Sequence, residues 1–78
     1  MNKPNHKSLD LHGSTHKEAE MLIDEFIIKN IDQLPLEIIT GNSVDMQLIL
    51  KKIINKHHLR MGPSHVNNLG SYIINNPL

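Results

Sequence analysis

The chain has 78 residues, no cysteine, and eight basic side chains against eight acidic ones, for a formal net charge of zero. That length supports one thin-cored domain burying only about 60% of its unfolded surface, and the missing cysteines exclude a disulfide framework or a thiolate metal centre. No apolar run reaches the roughly 20 residues of a membrane span, and the polar opening MNKPNHKS lacks a signal peptide's apolar stretch, so a soluble, cytoplasmic protein with no membrane partner is expected.

Residues 1–7 are polar and aperiodic and read as a flexible arm, with a single domain over residues 8–78. Leu9 and Leu11 then alternate with Asp10 and His12 as on a half-buried strand, which Gly13 ends. Thr15 and Glu18 have the spacing of a capping box. Behind them Ala19, Leu22, Ile23, Phe26 and Ile27 recur at helical intervals, predicting a helix from about Thr15 to Asn30. A linker containing Pro35 leads into Leu36-Glu37-Ile38-Ile39-Thr40, short and rich in β-branched residues, hence a second strand broken by Gly41.

Asn42 or Ser43 can cap the next helix, whose apolar stripe is Met46, Ile49, Leu50, Ile53 and Ile54, with an end expected near His58. In the tail, Gly62-Pro63 and Asn67-Asn68-Leu69-Gly70 are turn signals around a weak strand near His65-Val66 and a stronger one at Tyr72-Ile73-Ile74. The order strand, helix, strand, helix, strand, strand predicts an α/β fold: a two-layer βαβαββ sandwich with a four-stranded mixed sheet. The alternation in the first strand puts both helices on one face of that sheet, because a strand covered on both faces reads as continuously apolar.

Two stretches carry candidate chemistry. Asp10 and His12, expected on the open face about 7 Å apart along the backbone, can address one bound group. Parallel strands bring their C-terminal ends to one edge, where ligands of open α/β sheets bind, so Gly13 and the turn Thr40, Gly41, Asn42 and Ser43 join them there. The amides and positive dipole end of the second helix make that turn a place for a phosphate. Further along, Lys51 and Lys52 begin a basic run with Lys56, His57, His58 and Arg60, while Glu18, Glu20, Asp24 and Glu25 make the first helix acidic. The same residues also fit a solvated polar face, an ordinary strand-to-helix turn and charged helix surfaces. A metal set from Asp10, His12 and His65 is the lesser alternative.

Leu9-Asp10-Leu11-His12-Gly13, a following helix with Glu18-Ala19, Ile39-Thr40-Gly41 opening a second helix, and a closing Gly70-Ser71-Tyr72-Ile73-Ile74 together resemble the Smr (small MutS-related) domain over nearly the whole chain from Ser8. The resemblance implies the βαβαββ fold, similar to the C-terminal domain of a bacterial translation initiation factor. It also implies nucleic-acid binding and, as in several members, endonuclease action including nicking of DNA or RNA. It assigns the catalytic roles to Asp10 and His12, and substrate binding to Gly13 and Thr40–Ser43, with Lys51 and Lys52 added from the basic run. In the family's second signature Thr40, Gly41 and Asn42 match, whereas Ser43 stands at the second glycine and Val44 and Asp45 follow it in place of basic residues.

In the endonuclease reading His12 exchanges a proton at the scissile phosphodiester and Asp10 orients that imidazole or holds a divalent cation, magnesium or manganese. The alternative is a non-catalytic module that binds nucleic acid, or a protein partner, through the same face. Either is read as a monomer.

Overall fold

The structure, a computed structural model, describes residues 6–65 and 68–77. Its elements run β1 (Lys7–Asp10), α1 (His16–Lys29), a 3-10 turn (Ile31–Gln33), β2 (Leu36–Ile39), α2 (Val44–Lys56), β3 (Arg60–His65) and β4 (Asn68–Asn75). The strands form one mixed sheet in the order β1-β2-β4-β3, with β1 parallel to β2 and the other pairs antiparallel. This is the predicted α/β arrangement of four strands and two helices.

Cross-strand register sorts the side chains into two faces. Leu36 lies opposite Ile74 and Ile38 opposite Tyr72. All four are buried in one cluster with Ala19, Ile23 and Ile27 of α1 and Met46, Leu50, Ile53 and Ile54 of α2. Both helices therefore cover that face. The alternate positions, Glu37 opposite Ile73 and Ile39 opposite Ser71, lie on the other face, which carries no helix. There the Ser71 hydroxyl donates to Glu37 Oε2 at 2.6 Å, tying β4 to β2.

α1 begins as its sequence requires. The Glu18 amide donates to Thr15 Oγ1 at 3.1 Å while the Thr15 amide donates to Glu18 Oε1 at 2.9 Å, so both halves of the capping box are made. Ser43 caps α2, its Oγ accepting from the Met46 amide at 3.1 Å. At the other end of α2, His58 takes a left-handed φ of 58°. The His58 amide then reaches the Asn55 carbonyl, and the Leu59 amide the Ile54 carbonyl, at 3.1 and 3.0 Å. This paired arrangement is the Schellman ending, built here on histidine instead of the usual glycine.

Four boundaries differ from the sequence expectation. Lys7, read as part of the arm, already pairs with Leu36; residues 1–5 lie outside the described residues. β1 stops at Asp10 instead of His12, although the Leu11 amide still donates to the Ile39 carbonyl at 2.9 Å. Gly62-Pro63, read as a turn, sits inside β3, with Pro63 opposite Tyr72. β3 is the outer strand, where proline's missing N–H costs least. Leu69 and Gly70, also read as a turn, belong to β4; pairing to both neighbouring strands outweighs the local preference. Val66 and Asn67 lie outside the described residues.

Candidate functional site

The C-terminal ends of β1 and β2 lie side by side, with Asp10 in register with Ile39. The chain leaving β1 passes through Leu11, buried in the core, to exposed His12 and then Gly13, whose φ of 82° reverses the backbone toward α1. β2 leads through Thr40 to Gly41, with φ of 69°, and on to the start of α2. A side chain at either glycine would meet open space but would be strained by the backbone itself. The structure thus brings Asp10, His12 and Gly13 to the same sheet edge as Thr40, Gly41, Asn42 and Ser43.

The bonding within that edge differs from the sequence reading in two respects. Asp10 Oδ1 accepts the backbone amide of His12 at 2.9 Å, so one carboxylate oxygen stabilises the turn instead of the imidazole. The Gly41 amide, expected to face a phosphate, donates to the Gly70 carbonyl at 3.0 Å, alongside the Thr40 amide at 2.8 Å. The amides of Val44 and Asp45, in the first turn of α2 ahead of the capped Met46, are the ones oriented toward an anion there. Asp45 itself puts a carboxylate in that turn, which offsets part of the helix dipole.

Thr40 is 5% exposed, and its hydroxyl lies 2.9 Å from the Gly41 carbonyl oxygen and 3.3 Å from that of Gly70. Gln47 adds a clamp: its Nε2 donates to the Leu69 carbonyl at 2.9 Å and reaches that of Gly41 at 3.4 Å. The β2–α2 turn is therefore fixed to β4 by groups from three elements. Gln47 drew no attention in the sequence. Its partner Leu69 lies 22 positions away, and no local pattern announces such a contact.

Lys51 and Lys52 are not brought to this edge. They lie more than two turns into α2, roughly 12–14 Å along its axis from Ser43. Lys52 Nζ pairs instead with Glu20 of α1 at 3.6 Å, while Lys51 is exposed. Lys56 Nζ and His57 Nε2 both meet Asp24 Oδ1, at 3.3 and 2.6 Å. The hydrogen bond from His57, then that from Lys56, holds the Asp24 carboxyl below its ordinary value. Much of the basic run thus faces the acidic side of α1, joining the two helices.

Among the described residues, no three His, Asp or Glu side chains gather into a set able to hold a metal ion. Asp10, His12 and His65 do not form one. Nor is any described helix long and apolar enough to cross a membrane. No family model, no curated protein and no solved structure matches the chain.

Proposed function

We propose that the protein is an Smr-like nucleic-acid-binding domain that nicks the phosphodiester backbone of DNA or RNA in the cytoplasm. The observation that carries this reading is the convergence of Asp10-Leu11-His12-Gly13 and Thr40-Gly41-Asn42-Ser43 on one edge of parallel strands, with the N-terminus of α2 behind them. His12 is exposed there and carries a group that exchanges protons near neutral pH. In this reading a backbone phosphate rests against the amides of Val44 and Asp45. His12 takes a proton from the attacking oxygen or delivers one to the leaving oxygen. Asp10 holds the His12 backbone in place through the amide bond and contributes its charge beside the imidazole.

A second reading, binding without cleavage, is favoured by particular bonds: one Asp10 oxygen and the Gly41 amide are already engaged, and Asp45 places a negative charge in the first turn of α2. One experiment separates the two. Labelled single-stranded, duplex and branched DNA and RNA are incubated with the full chain, with and without a chelator, beside His12→Ala, and binding is measured in parallel across a salt series.

Nicking is expected to fall at least about 100-fold in His12→Ala, the usual scale of acid–base catalysis, with binding retained and weakening as salt rises. Equal cutting by both proteins ends the endonuclease reading. Salt-dependent binding without cutting leaves the module reading standing, and binding indifferent to salt excludes a phosphate-led contact altogether.

A further inference from the structure

α2 exposes apolar side chains on the side turned away from the core. Val44 and Leu48, one helical turn apart, are 66% and 59% exposed, although Met46, Leu50, Ile53 and Ile54 bury the opposite side. Leu69, 57% exposed, belongs to the β4 segment that Gln47 clamps to α2. On the other flank a groove of about 1000 Å³ runs between α1 and α2, and Met21, 59% exposed, lines it with Lys52 and Ile53. Apolar groups thus lie along the outer stripe of α2 and on both sides of it.

The charges on this stripe are arranged for self-recognition. Asp45 and Lys52 are seven residues, or two turns, apart and so share one flank of α2, with Leu48 between them. If two copies of α2 lie antiparallel across a two-fold axis beside Leu48, like flanks face each other. Asp45 of each copy then meets Lys52 of the other, and Leu48 meets Leu48. An interface in which residue i meets j and j meets i is what a two-fold dimer requires. A parallel pair instead brings unlike flanks together, so that Asp45 and Lys52 of the two copies do not meet.

We propose that the occupant of this surface is a second copy of the chain, docked through antiparallel α2 helices. The 13 residues of α2 give a contact about 20 Å long, which places the dimer in the small, weak class below about 1,200 Å². Lys52 is 75% exposed and 3.6 Å from Glu20, so it can be shared with the partner's Asp45 without unfolding anything. This inference does not rest on the nucleic-acid reading, and it departs from the monomer expected from sequence.

Sedimentation equilibrium of the full chain from low micromolar to near-millimolar concentration tests it. The weight-average mass is expected to rise toward twice the monomer's. Leu48→Glu should hold it at the monomer value, with circular dichroism and the melting temperature unchanged because the side chain is on the surface. Asp45→Lys and Lys52→Asp should each weaken association at least tenfold, and the double exchange should restore it, less so at high salt. A chain that stays monomeric throughout overturns the proposal. Association that survives Leu48→Glu, or a double exchange that stays monomeric, overturns it equally, since the surface or the antiparallel register would then be wrong.

Discussion

Asp10 has one role that the structure shows and a second that the proposed function gives it, and its geometry says how to part them. As an acceptor for the His12 amide at 2.9 Å it needs only an oxygen, whereas its contribution beside the imidazole needs charge. Asp10→Asn is therefore expected to keep the turn and the melting temperature, while Asp10→Ala costs about 1 kcal/mol in urea unfolding. Loss of nicking in both variants assigns Asp10 an electrostatic part; loss in Asp10→Ala alone makes it a backbone support. His58 offers a cleaner stability test. An L-residue at a φ of 58° carries roughly 1–2 kcal/mol of strain, partly offset because glycine gains freedom in the unfolded chain. His58→Gly should thus stabilise the fold by roughly 0.5–1 kcal/mol, measured by the same unfolding curves.

Asp24 sets a pH dependence whose sign follows from its partners. Bonds from His57 and Lys56 lower its folded-state pKa, so unfolding raises it and takes up protons. The stability it contributes is full above the ordinary aspartate value of about 3.9 and disappears as pH falls through the lower, folded one. The melting-temperature gap between wild type and Asp24→Asn should be present at neutral pH and close below about pH 4. A gap that widens in acid would contradict this sign.

At the scale of elements, the helices were legible and the later strands less so. Thr15 with Glu18, and Ser43 before Met46, announce helix starts through contacts within three residues, and the apolar stripes of α1 and α2 match the buried sides. Leu50, fully buried on α2, should cost about 2–5 kcal/mol as alanine, read from the urea midpoint. Gly62-Pro63 and Leu69-Gly70 misled because strand pairing is decided by neighbours distant in sequence: Tyr72 opposite Pro63, and Thr40 and Gly41 donating to the Gly70 carbonyl.

The site shows the same division. His12 and the Thr40–Ser43 turn could be placed on one edge from strand order alone. The engagement of the Gly41 amide, the Gln47 clamp and the pairing of Lys52 with Glu20 could not, since each depends on tertiary contacts.

Across the whole molecule, zero net charge conceals an ordered distribution. Acidic α1 and basic α2 meet at Glu20–Lys52, Asp24–Lys56 and Asp24–His57, so Lys52 and Lys56, two of the cations that composition offers a nucleic acid, already have acidic partners on α1. The helix-free sheet face carries Glu37, which repels phosphate. In the proposed function both facts leave the phosphate backbone to the sheet edge at His12 and the start of α2. The two aromatic residues give no stacking platform, because Tyr72 is buried and Phe26 packs against the core.

The most direct measurement is backbone amide NMR of the full chain during titration with a short labelled-phosphate duplex and with a single strand. The shifts are expected to concentrate on His12, Gly13 and Gly41 through Asp45 and to fade as salt is added. Shifts centred on Glu37, Ile39 and Ile73, or confined to Lys51 through Lys56, would contradict the proposed function.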